Sequence, residues 1–259
     1  MSCIVKCVNS RGNQMECFGN SLVGTSGVNG DRFYISTDGT TIALSDGASG
    51  AGKDGKVLMS ECCIRNIEEA PFSKSELSVE KYIQELIWKI NNDLVKLSQQ
   101  RNKYIFGTLI ICVINDGVVT FASVGDSSAF LISKGTIKKV AKSKKTYDIL
   151  VQLGLFTYEQ IEKYVHSLPE QMWSMFDTFI PSVVPKYALE SYRLDKGDMV
   201  LICCDGISDY LDVEELLKLI SFDNLEKSVN TIINMARDKS IESHGKNQYD
   251  DLTLVIYRV

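Results

Sequence analysis

Apolar positions along this chain fall into two rhythms, and the switches between them mark out the elements. Residues 199–204, MVLICC, are an unbroken apolar run that ends at Asp205-Gly206, the pattern of a strand buried on both faces that stops at a sharp turn. The same grammar appears at 41–47, where TIALS runs into Asp46-Gly47, and at 250–258, where Asp250-Asp251 precede LTLVIYR. YIST and TIALS, joined through Asp38-Gly39, read as a hairpin. Between 105 and 140, IFGTLIICVI, VVTFASV, SAFLIS and TIKKVA read as strands, with Asp116-Gly117 and Lys134-Gly135 as tight turns.

Helical spacing takes over at 57–69 and 78–98. The second of these lines up Val79, Tyr82, Ile83, Leu86, Ile87, Ile90 and Leu94, and Pro71 separates the two. A second pair follows the strand at 199–204: 213–221, opened by the capping box Asp212-x-x-Glu215, and 225–241, with Leu225, Val229, Ile232, Ile233 and Ala236 on one face. Strands, helix pair, four strands, insert, strand, helix pair, strand: this order predicts an α+β layered domain of antiparallel sheet covered by helices. Residues 141–190 break the rhythm with KSKKTYDIL, the capping pattern Thr157-x-x-Gln160 at the start of a helix, and Pro169, Pro181 and Pro185. They read as a flap or insert within a single domain spanning 1–259, since no linker or repeat divides the chain.

Composition narrows the function. A chain of 259 residues, 44% hydrophobic and 24% charged, supports one sizeable core. A net charge of -5 and a pI near 5.2 argue against nucleic acid or an anionic membrane as the main partner. The first residues lack the apolar stretch of a signal peptide, and no run is long enough to span a bilayer, so the expectation is a soluble, cytoplasmic protein. Its eight cysteines then read as reduced, small apolar residues. Cys3, Cys7 and Cys17 have neither zinc-site spacing nor a nearby histidine, and His166 and His244 stand in polar surroundings that fit surface roles.

The chemistry lies in the acids. In antiparallel sheet the end of one strand lies beside the start of its neighbour, so Asp46, Asp205 and Asp250 are expected to meet at one rim. Ionised together they repel, unless a cation sits between them, and oxygen donors without His or Cys suit Mg²⁺ or Mn²⁺. Gly47 and Gly206 permit the tight turns, and the Gly47 carbonyl is a further candidate ligand. An isolated Asp-Gly is more often a plain turn, but the additional pairs Gly30-Asp31 and Gly125-Asp126 strengthen the pattern.

Taken in order, GVNGDRF, ALSDGASGAG, FGTLIICV, SVGDSSAFL, DMVLICCDGISD and YDDLTLVIY resemble the successive motifs of the metal-dependent type-2C Ser/Thr protein phosphatases, in forms similar to the bacterial sporulation and stress-response branch. The resemblance implies a four-layer α-β-β-α sandwich of two antiparallel sheets flanked by helix pairs, with two Mn²⁺ or Mg²⁺ ions at one edge. It implies that Asp46 bridges the metals, that Asp205 and Asp250 complete one site and the Gly47 carbonyl the other, that Asp31 acts from an outer shell, and that Asp126 helps hold a third, weaker ion. Asp209 and Asp251 are equally consistent with caps or turns. The implied reaction is attack on a phosphoserine or phosphothreonine of a protein substrate by water activated between the ions.

Two departures stand out. Ser26 occupies the place of an arginine, and Gly30 the place of a glutamate, so no basic side chain is assigned to the substrate phosphate. The alternative is therefore a weakly active or inactive phosphatase-fold binding or regulatory module. A different Mg²⁺ phosphoesterase ranks last, for want of a G-x-x-x-x-G-K-[ST] loop. In the related branch the helix pair beside the metals can shift; here the loop SGAGKDG would carry such a shift from the first helix to Gly47, through which a regulatory protein could raise a low basal activity.

Overall fold

Strand pairing in this chain obeys the period-2 rule closely enough to show which layer each face meets. In the computed structural model, which describes residues 2–8, 14–140, 157, 159–160, 163, 187–244 and 247–259, Ile42, Leu44, Ile110 and Cys112 face one apolar cluster, while their sequence neighbours Ala43, Leu109, Ile111 and Val113 face another. A strand with both faces covered must be apolar throughout, which is why TIALS and LIICVI read as continuous runs.

Among the described residues the strands are β1 (Ser2–Val8), β2 (Gln14–Leu22), β3 (Arg32–Ile35), β4 (Thr41–Ser45), β5 (Leu109–Asn115), β6 (Val118–Val124), β7 (Ser128–Ser133), β8 (Thr136–Val140), β9 (Ala188–Arg193), β10 (Met199–Cys203) and β11 (Leu252–Arg258). They form a six-stranded sheet in the order β1-β2-β11-β10-β7-β8 and a five-stranded sheet in the order β3-β4-β5-β6-β9, antiparallel at every pairing. The helices are α1 (Gly52–Glu69), α2 (Val79–Arg101), the single turn α3 (Asp205–Ser208), α4 (Val213–Leu219) and α5 (Leu225–His244). α1 and α2 cover the outer face of the five-stranded sheet through Met59, Cys63, Ile67, Ile83, Ile87, Ile90 and Leu94, and α4 and α5 bring Leu216, Val229, Ile232 and Ala236 to the core of the six-stranded sheet. The result is the expected α-β-β-α arrangement of two antiparallel sheets.

Three details depart from the sequence expectation. The final residues of the 141–190 segment belong to β9, which pairs with β6 at the edge of its sheet; its half-exposed alternation, ALESYR, is weaker than a buried run and escaped notice. Of the remainder, Thr157 and Gln160 form the predicted reciprocal capping bonds at 2.8 and 3.2 Å, and the flap itself, His166 and the three prolines lie outside the described residues. The first helix begins at Gly52 rather than 57. Gly55 is helical because a side chain there would press within 2.8 Å of the Tyr104 carbonyl, so close packing outweighs its poor propensity. Finally, β4 does not neighbour β10 or β11 in a sheet. It lies in the opposite sheet, packed across from both.

Candidate metal centre

That last correction changes how the acids meet. β10 and β11 are antiparallel neighbours, with Cys203 opposite Leu254, so Asp205 and Asp250 come to the same end of one sheet for the reason anticipated. Asp46 reaches them from the facing sheet, across the mouth of the sandwich. A carboxylate oxygen of Asp46, one of Asp205 and the Cys204 Sγ all lie within 4.8 Å of one another.

Each acid is delivered by a pinned backbone. The Thr108 N–H donates to the Asp46 carbonyl at 2.7 Å, the Ser45 hydroxyl donates to the Thr108 carbonyl at 2.8 Å, and the Thr108 hydroxyl pairs with that of Ser127 at 2.6 Å, next to Asp126. Asp205 opens α3, whose close approach to β11 requires glycine next: a Cβ on Gly206 would lie 2.4 Å from the Asp251 carbonyl. Asp250 accepts the Asp251 N–H on its own Oδ1 at 2.8 Å. Asp31 is held by its N–H, which donates to Asn29 Oδ1 at 2.8 Å.

Electrostatically the group is under strain. Asp31 is 2% exposed, and neither of its carboxylate oxygens has a hydrogen-bond partner; the nearby Thr253 hydroxyl is engaged with Ser21 at 2.7 Å. Burial, only partly offset by Thr253, pushes its carboxyl up to about 6, with Asp251 and Asp250 adding repulsion. Asp205 is pushed up to about 8 by burial and then by the charges of Asp126, Asp250 and Asp209. Asp46 is likewise raised well above the usual carboxylate range by burial and by the charges of Asp31, Asp205 and Asp250. Asp250, most open to solvent at the rim, is raised mainly by desolvation of its carboxylate, against the opposing pull of the Asp251 N–H and the Lys56 charge. Acids brought together in this way repel unless a cation lies between them, and hard, anionic oxygens converging without imidazole are a donor set that fits Mg²⁺ or Mn²⁺.

Cys204 does not compete as a ligand. Its thiol donates to the Asp251 carbonyl at 3.4 Å and accepts the Thr253 N–H at 3.1 Å, and burial holds it well above the usual thiol range. The structure thus brings Asp31, Asp46, Asp205 and Asp250 into one electrostatic group, with Asp126 and Asp209 acting on Asp205. Gly47 lies beside them, its N–H donating to the Gly30 carbonyl at 3.2 Å. Two residues of this neighbourhood had no clear signal in the sequence. Asp251, readable as a turn residue, accepts the Gly24 N–H at 2.7 Å and the Gly30 N–H at 2.8 Å. Lys56, which looks like one more solvated helix lysine, is 3% exposed and pairs with it.

A family model described as Protein phosphatase 2C matches residues 19–245. The chain belongs to that family. Among curated relatives, the Ser/Thr protein phosphatase PstP of Mycobacterium tuberculosis is 27% identical over 113 residues, 44% of this chain and 21% of PstP, so the match spans about a fifth of that relative's length. Among solved structures, the catalytic domain of PstP in complex with two manganese ions superposes with a TM-score of 0.71 at 18% identity, covering 94% of this chain and 97% of that one. The Ser/Thr phosphatase of S. agalactiae gives 0.74 at 20% identity, covering 95% and 99%. At such identities the structural likeness speaks for the protein phosphatase 2C fold.

Proposed function

We propose that this protein is a metal-dependent protein serine/threonine phosphatase acting on phosphoserine or phosphothreonine of a protein substrate. The observation that carries this reading is the convergence of Asp31, Asp46, Asp205 and Asp250 at the mouth of the sandwich, with both oxygens of the buried Asp31 unpartnered. Family membership and the two-manganese PstP complex support it.

In this reading Asp46, Asp205 and Asp250 with the Gly47 carbonyl would hold two Mn²⁺ or Mg²⁺ ions, Asp31 would orient water beside them, and Asp126 would contribute to a weaker third site. Bound there, the ions supply an activated water and neutralise charge on the phosphoryl oxygens. The protein's own part is preorganisation: Thr108 fixes the Asp46 backbone, the Asp250–Asp251 turn fixes Asp250, and the sandwich walls keep the carboxylates partly desolvated. Residues 1–259 are then one phosphatase domain, with the proposed insert falling between β8 and β9. The free thiols of Cys3, Cys62, Cys63, Cys112, Cys203 and Cys204 fit a reducing, cytoplasmic setting, and no helix among the described residues is long and apolar enough to cross a membrane.

The test is turnover of an aryl phosphate and of phosphoserine and phosphothreonine peptides with Mn²⁺, with Mg²⁺ and with EDTA. Turnover that requires the divalent ion is expected. Equal rates in EDTA would refute the assignment.

A further inference from the structure

Lys56 is the one charged residue on the buried side of α1. Burying an ammonium is costly, and a single ion pair seldom repays it, so its position calls for a role beyond stability. Its Nζ lies 2.8 Å from Asp251 Oδ2 and 3.2 Å from the Ser26 Oγ. Its aliphatic stem lies against Gly30, where a Cβ would sit 2.7 Å from Lys56 Cδ. Its carbonyl is packed on Gly47, where a Cβ would fall 1.9 Å from the Lys56 oxygen. One residue therefore touches three segments, the 24–30 loop, Gly47 and the 250–251 turn, that lead to Asp31, the Gly47 carbonyl and Asp250. Asp251 closes the same knot by accepting the N–H groups of Gly24 and Gly30.

The pair is not a phosphate clamp. At 3% and 4% exposure neither side chain is open to a ligand from solvent, and the ammonium already serves Asp251 and Ser26. Their charges cancel locally, so the pair leaves the net charge of the acid cluster unchanged. What it supplies is spacing between α1 and the rim.

We propose that Lys56 and Asp251 are positioning residues that set the metal affinity of the site beside Gly47, by holding α1, the 24–30 loop and the start of β11 in register. The proposal rests on the metal-dependent reading above. It also accounts for both departures in the sequence: Gly30 makes room for the lysine stem, and Ser26 accepts from its ammonium, so the positive charge that the 24–30 loop lacks arrives from the helix and is spent on structure.

Charge and geometry predict opposite outcomes. Neutralising Lys56 alone makes the neighbourhood one charge more negative, which by Coulomb's law tightens divalent-ion binding; loss of register weakens it. The experiment is Mn²⁺ titration of the full chain by electron paramagnetic resonance or calorimetry, for wild type, Lys56→Met, Asp251→Asn and the double variant, with melting of each protein in EDTA. We expect Mn²⁺ binding at one class of site to weaken about 10-fold or more in either single variant, the range seen when residues supporting metal ligands are removed. The double variant is expected to resemble the singles, because the partners act as one unit. Turnover should recover as Mn²⁺ is raised, and the melts in EDTA separate weakened metal binding from general destabilisation, which Mn²⁺ would also offset by mass action. If Lys56→Met does not fold, Lys56→Gln, which keeps an N–H donor on a stem one atom shorter, carries the test with a smaller expected loss. Unchanged or tighter Mn²⁺ binding in the variants, or lost turnover that Mn²⁺ does not restore, would overturn the proposal. A wild-type protein that binds no Mn²⁺ would overturn the metal reading itself, a distinct result obtained before any variant is made.

Discussion

Gly47 and Gly107 meet in an isolated antiparallel bridge, and neither has room for a side chain: a Cβ on Gly107 would lie 2.2 Å from the Asp46 carbonyl, and one on Gly47 1.9 Å from that of Lys56. Backbone atoms cannot yield as a flexible side chain can. Gly47→Ala and Gly107→Ala are therefore expected to displace Asp46 or α1, lowering the melting temperature and reducing Mn²⁺-dependent turnover by about 100-fold or more, as small misplacements of reacting groups do. Circular-dichroism melting and aryl phosphate kinetics check this; a fully active Gly107→Ala protein would remove the bridge from any account of the site.

The acids trade stability for function. With no cation bound, Asp46 and Asp205 must either repel their neighbours or take up protons that the unfolded chain has released, so Asp46→Asn and Asp205→Asn should each raise the melting temperature of EDTA-treated protein while cutting Mn²⁺-dependent turnover by about two orders of magnitude. For a domain of this size each kcal/mol recovered corresponds to about 2–4 °C. Unaltered turnover in Asp46→Asn would contradict the proposed role of Asp46 as a metal ligand.

The same crowding fixes a pH dependence. Asp31, raised from 3.8 to about 6, and Asp205, raised from 3.8 to about 8, hold protons in the folded state that the unfolded chain has already released. Between about pH 4 and pH 8 the native state thus binds more protons, and stability falls as pH rises through that window. Metal competes with those protons, so stabilisation by Mn²⁺ should grow over the same window. Urea denaturation at several pH values, in EDTA and in Mn²⁺, measures both slopes; metal-free stability that rises from pH 5 to 8 would show that the cluster is not protonated as described.

How far the site could be read from sequence depended on the range of the cue. Asp46, Asp205 and Asp250 were legible because each interrupts a continuous apolar run, a local contrast that survives without coordinates. The layered fold was legible for the same reason, through periodicity. β9 was not, since an edge strand with one exposed face carries a diluted pattern. The placement of β4 in the opposite sheet was not either, because periodicity says that both faces are covered and not by which partner. Lys56 and Asp251, 195 positions apart, were invisible as a pair. A buried lysine differs from a solvated one only in what surrounds it. Gly30, noted as a departure, gained its physical reason only from the stem lying against it.

That contact gives the last prediction. A methyl group at position 30 collides first with the Lys56 side chain, at 2.7 and 2.9 Å, and only then meets the Gly47 carbonyl at 3.0 Å. Gly30→Ala should therefore destabilise the protein when Lys56 is present and do so less when Lys56→Ala has removed the stem. In a double-mutant cycle of denaturant unfolding in EDTA, the two changes should be less than additive by about 1 kcal/mol, the scale for residues in direct contact. Chelation keeps metal affinity out of the measurement, so the cycle reports packing alone. Strict additivity would mean that the stem moves aside without cost, and that Gly30 is there for the Gly47 carbonyl instead.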